Sequence, residues 1–94
     1  MANAQYKRDT GERKKAGKYL QGLRKAVNMT QIELANALGY PYYTFISQIE
    51  GGLSRVPPEG YSKWAKVLRV NEAEFASKLL SFYDPHTYRS IFGK

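Results

Sequence analysis

Thr44, Ser47, Gln48 and Gly51 are spaced three, one and three residues apart, which sets them along one stripe of a helix. The stripe carries hydroxyl and carboxamide groups that both donate and accept hydrogen bonds and hold no formal charge. Such groups can read base edges in the major groove of a duplex, where a glutamine can bond adenine through two hydrogen bonds. Ile46 and Ile49, with Tyr42 or Phe45, share the opposite, apolar face. On an arbitrary helix a polar stripe is only a solvated face. Catalytic chemistry has less to build on: the chain has no cysteine, and its one histidine, His86, reads as a surface residue. Neither a metal site nor a cofactor is expected, and an enzyme is not.

The elements that position the stripe favour function over a bland surface. Thr30-Gln31-Ile32-Glu33 has the pattern of a capping box and opens a helix that buries Leu34, Ala35 and Leu38. Gly39 ends it, Tyr40-Pro41 make the turn, and a third helix runs from about Tyr42 to Glu50, stopped by Gly51-Gly52. A short capped helix, a tight turn containing glycine and a second short helix have helix-turn-helix anatomy. Ahead of them, Ala16, Leu20, Leu23 and Val27 form one face of a first helix over about 12–27, with Asn28 where it should stop. Behind them, a fourth helix (about 59–68) turns Tyr61, Trp64, Ala65 and Leu68 inward. A fifth starts at Asn71 and Glu74, buries Phe75, Leu79 and Phe82, and is broken by Asp84-Pro85. The pattern predicts an all-α chain of five helices without strands. Residues 1–11 read as a flexible basic N-terminal arm, 12–83 as the helical domain, and 84–94 as a short apolar C-terminal extension.

Ninety-four residues allow one domain, and its net charge of +7 points to a polyanionic partner. Residues 1–26 hold eight cations and two acids, so six of the seven net charges lie in the arm and first helix. Lys14, Lys15 and Lys18 are therefore candidate phosphate contacts, acting mainly through attraction that needs no fixed geometry. No apolar window approaches the length of a membrane span, and the basic start lacks the apolar run of a secretory signal. A cytoplasmic protein without a membrane partner is expected.

Residues 13–70 resemble the XRE family of helix-turn-helix regulators, which includes the lambdoid phage repressors and Cro. The resemblance is carried by Thr30-Gln31, Glu33-Leu34-Ala35, Leu38-Gly39 and Ile46-Ser47-Gln48-Ile49-Glu50. It implies a five-helix lambda-repressor-like DNA-binding domain whose third helix enters the major groove. Carried over by position, Tyr43, Thr44 and Gln48 fall on base-reading sites, and Ser47 joins them on the stripe. Tyr43 has two readings, contact with sugar or a thymine methyl and packing against the turn; Tyr42 is expected in the core. Gln31 falls on the phosphate-binding start of the second helix, and Arg55 on a loop position where relatives set a cation against the DNA backbone. Arg24 and Glu50 match a buried pair that ties the first helix to the third in some members. One feature departs from the family: Gly39 and Glu50 are eleven residues apart, where ten is usual. Either the turn is longer or the third helix begins earlier, with Pro41 at its first position.

The expected function is sequence-specific binding of double-stranded DNA by a transcriptional regulator, with repression favoured. A pseudopalindromic operator would require a homodimer, which the apolar residues Tyr83, Tyr88, Ile91 and Phe92 could form; they could equally fold back on their own domain. The alternative is an antitoxin or other protein-interaction module of the same fold, with a partner protein as its ligand. Single-stranded nucleic-acid binding through the eight tyrosines ranks below both, because most sit at core or turn positions.

Overall fold

The computed structural model describes the backbone of residues 2–93 and the side chains from Gly11 to Gly93. Among the described residues are six α-helices, one short 3-10 turn and no strand. The helices are α1 (Ala2–Ala26), α2 (Gln31–Leu38), α3 (Thr44–Glu50), α4 (Tyr61–Leu68), α5 (Glu72–Tyr83) and α6 (Pro85–Phe92); the 3-10 turn is Pro58–Gly60. The backbone of α1 thus starts about ten residues before the expected start near residue 12. The side chains of the expected arm, Lys7 and Arg8 among them, lie outside the described residues.

Each helix end follows from its local chemistry. At α2 the capping box is complete: Thr30 Oγ1 accepts from the Glu33 amide at 3.0 Å, and the Thr30 amide donates to Glu33 Oε1 at 2.8 Å. Gly39 closes the helix in the left-handed region at φ +84°, where a side chain would be strained. At α5, Asn71 Oδ1 accepts from the Glu74 amide at 2.9 Å. The sequence Asp84-Pro85 stops α5 and also starts a new helix. Asp84 accepts from the Thr87 amide at 3.2 Å and from its hydroxyl at 2.7 Å, with Pro85 in the first turn. The C-terminal extension is therefore a sixth helix, one more than the five expected.

The core joins the inner faces of the first five helices. Ala16 and Leu20 of α1, Leu34 and Leu38 of α2, and Ile46 and Ile49 of α3 meet Trp64 and Leu68 of α4 and Phe75 and Leu79 of α5. Val56 plugs the loop between α3 and α4. The Trp64 indole N–H donates to the Tyr40 hydroxyl at 3.1 Å, so the largest buried side chain keeps its polar atom satisfied. No described helix is long and apolar enough to cross a membrane.

Candidate nucleic-acid interface

With only seven residues, α3 is too short to hold its shape alone and depends on its neighbours. Ile46 and Ile49 are fully buried, and Phe45 packs edge-on against Tyr40 with ring centroids 5.0 Å apart. That contact decides the turn. Tyr40 is held between Phe45 and Trp64, so Pro41, Tyr42 and Tyr43 must carry the chain round before the helix begins. The helix starts at Thr44, two residues later than expected, and the extra residue lengthens the turn. Tyr43 is the N-cap, but its side chain makes no capping hydrogen bond. Tyr42 does not enter the core as the sequence pattern suggested: Tyr40 occupies that space, and Tyr42 is 73% exposed.

The opposite side of α3 faces outward. Thr44, Ser47 and Gln48 are exposed together, with Tyr43 at the head of the stripe and Gly51 at its foot. The helix C-terminus is satisfied locally, since the Gln48 carbonyl accepts from the Leu53 amide at 2.8 Å. The Gln48 side chain is not drawn into that cap.

Behind the stripe, α1 fixes the end of α3 by direct backbone approach. A methyl group at Gly17 would strike the Glu50 carbonyl, 2.6 Å from its carbon and 2.9 Å from the Ile49 oxygen. Gly52, at φ +85°, lies as close to α1, where a Cβ would stand 2.6 Å from Lys14 Cγ. The sequence pattern marks Gly52 only as part of the stop of α3 and does not mark Gly17, although a glycine beside buried Ala16 within a helix is itself a sign of close packing.

A buried ion pair reinforces the same junction. Arg24 Nε donates to Glu50 Oε2 at 2.7 Å and Arg24 Nη2 to Glu50 Oε1 at 3.0 Å, with the two side chains 9% and 4% exposed. Arg24 Nη1 also donates to the Met29 carbonyl at 2.8 Å. The Gln31 carboxamide donates to Glu50 Oε1 at 3.0 Å, so one of its N–H groups is engaged inside the protein. A bidentate pair with its remaining donors satisfied can offset the desolvation that isolated buried charges suffer.

The cations fall into two groups. Lys14, Lys15 and Lys18 are exposed on α1, and Lys14 stands beside Gly52 at the foot of α3. Lys15 lies 3.7 Å from Glu12, a contact between exposed side chains that adds little. Arg55 is placed differently: its guanidinium sits 4.5 Å over the Tyr83 ring, on the wall of a cleft of about 570 Å³ that also includes Arg13 and His86. Burial raises the Tyr83 hydroxyl pKa, an effect partly opposed by the Val56 amide, which donates to its oxygen at 3.2 Å.

No family model matches the chain, and neither a curated protein nor a solved structure matches it. The geometry therefore stands on its own chemistry. It leaves Tyr43, Thr44, Ser47 and Gln48 exposed as one uncharged, hydrogen-bonding set, with Lys14 near the C-terminal end of α3 and Gln31 tied to Glu50 from α2. Arg55 is directed toward the C-terminal half instead.

Proposed function

We propose that this chain is a sequence-specific double-stranded DNA-binding regulator of the lambda-repressor-like kind, reading the major groove with α3 and acting as a repressor in the cytoplasm. The observation that carries the reading is the two-sidedness of α3. Its inner side is buried and tied to α1 and α2, and its outer side presents Thr44, Ser47 and Gln48 to solvent. Base recognition needs such fixed donors and acceptors, because each hydrogen bond discriminates only when its groups are held in register. Tyr43, Thr44, Ser47 and Gln48 are assigned to base edges; Gln31, Lys14, Lys15 and Lys18 to phosphates; Arg24 and Glu50 to holding α3 in place; Arg55, expected among the phosphate contacts, rests on Tyr83 and is left out of the set. Gln31 keeps a second N–H to donate to a phosphate, and its carbonyl oxygen can accept from a bridging water.

Selection of bound duplexes from a random-sequence library tests this. A recovered motif, with affinity that falls steeply as salt rises, is the expected result. Recovery of no motif rejects sequence reading.

A second feature favours a protein partner alongside DNA. An apolar groove of about 260 Å³ runs between α5 and α6, lined by Tyr61, Ala76, Leu80, Ile91 and Phe92 among others. Ile91 and Phe92 are 62% and 52% exposed. A homodimer through this surface suits a pseudopalindromic operator, and an antitoxin-like module would use the same surface for a different chain. The symmetry of the selected motif, with the sedimentation mass of the free protein, separates the two.

A further inference from the structure

Tyr42 is, among the described residues, the most exposed large hydrophobic side chain. Among the described residues, Tyr19, Tyr40, Tyr61 and Tyr88 each pack against another aromatic ring, and Tyr83 carries the Arg55 guanidinium. Tyr42 and Tyr43 have neither kind of contact, and Tyr43 already belongs to the stripe. A phenol ring left in water forgoes the burial that usually justifies an aromatic residue. The longer turn, with Tyr40 in the pocket, is what turns Tyr42 outward.

The surroundings restrict what the ring can meet. Residues 41–49 contain no acid, and the carboxylate of Glu50 is 4% exposed and engaged by Arg24 and Gln31. Tyr42 precedes Thr44, the first residue of the stripe, by two positions, and Lys14 of α1 stands beside Gly52 at the other end of α3. A partner that fits must be anionic overall and must offer an apolar group among hydrogen-bonding edges. The major groove of a duplex offers one such group, the C5-methyl of thymine.

We infer that Tyr42 is a specificity-determining residue that selects thymine by covering its C5-methyl with the carbon edge of the phenol ring. The inference rests on the duplex-binding reading above and extends the site by one residue on the N-terminal side of α3. It assigns to the extra turn residue a consequence for selectivity: the site discriminates thymine from cytosine at a position that hydroxyls and amides alone would read less strictly.

The test uses the full chain and a duplex recovered by selection. Each thymine is replaced in turn by deoxyuridine, which removes the methyl group and leaves the pairing and hydrogen-bonding edges unchanged. At one thymine beside the bases read by the stripe, the wild-type protein should bind the deoxyuridine duplex about fourfold more weakly, the value of burying one methyl group. Tyr42→Ala should bind the two duplexes equally, while Tyr42→Phe should keep the difference. The residue is exposed, so the thermal midpoint of each variant should match that of the wild type.

Equal binding of every deoxyuridine duplex by the wild type would overturn the inference, as would a selected site with no required thymine. So would a difference that survives in Tyr42→Ala or is lost in Tyr42→Phe, the latter pointing to a hydroxyl contact with phosphate. Failure to bind any duplex would instead remove the reading on which the inference rests.

Discussion

The two sides of α3 are built to opposite rules. On the inner side every group is committed: Ile46 and Ile49 are fully buried, Gly17 admits the Glu50 carbonyl, and Arg24 and Gln31 engage the Glu50 carboxylate. On the outer side Thr44, Ser47 and Gln48 stay exposed and uncharged. On the proposed reading, the difference lets a seven-residue helix act as a rigid reading edge. Its order comes from tertiary contacts behind it, so its outward residues can be chosen for recognition rather than for helix stability.

That contrast gives a graded set of expectations. The largest effect belongs to the inner side. Glu50→Ala leaves the Arg24 guanidinium buried without its counter-ion, and the expected loss is about 3–5 kcal/mol of folding stability, read by chemical denaturation. A loss under about 1 kcal/mol would mean that the pair is too well hydrated to fix α3. Gly17→Ala follows, because its methyl group meets backbone rather than a flexible side chain; a loss of about 1–3 kcal/mol is expected in the same measurement. An unchanged midpoint would show that α1 and α3 can slide apart without cost.

Weaker effects belong to the outer surface. Lys14→Ala and Lys18→Ala should each lower the slope of log affinity against log salt by about 0.9, equally for selected and random duplexes, with little change in stability. A sequence-dependent loss would promote a lysine from attraction to readout.

The smallest effect lies at α6, far from the stripe in sequence. The Thr87 hydroxyl, and after it the Thr87 amide, hold the Asp84 carboxyl below its ordinary value of 3.8. A carboxyl lowered on folding contributes stability that is present above its unfolded pKa and vanishes as pH falls through the folded value. Acidification below 3.8 should therefore loosen the first turn of α6, seen as exchange of the Thr87 amide, and Asp84→Asn should remove that step. A Thr87 protection factor, taken relative to intrinsic amide exchange, that stays constant over this range would show that the cap does not depend on charge.

How much was legible in the sequence varies with the range of the interactions involved. Thr30 with Glu33, Gly39, and Asn71 with Glu74 are local devices, and each performs in the structure the task its residue type suggested. The Arg24–Glu50 pair joins residues 26 apart, and nothing in either residue's own neighbourhood reveals it; it entered only through the family resemblance. The position of Tyr42 is not legible, because helical spacing counted from Ile46 cannot tell which of two nearby tyrosines takes the pocket beside Trp64. Tyr40 takes it, with its hydroxyl serving the indole N–H. At the C-terminus one short segment carries two signals. Asp84, Pro85 and Thr87 carry a start signal as well as a stop, and the apolar positions beyond them form α6. Gly17 and Gly52 matter through what touches them, which a sequence shows only as an absent side chain.

The central claim is that the exposed stripe of α3 reads sequence, and Gln48 tests it most directly. Equilibrium binding of wild type and Gln48→Ala to a selected duplex and to random duplex, at one salt concentration, separates readout from attraction. The expected result is a loss of about 1–3 kcal/mol on the selected duplex, no loss on random duplex and an unchanged thermal midpoint. An equal loss on both duplexes, or no loss on either, would contradict base readout by α3.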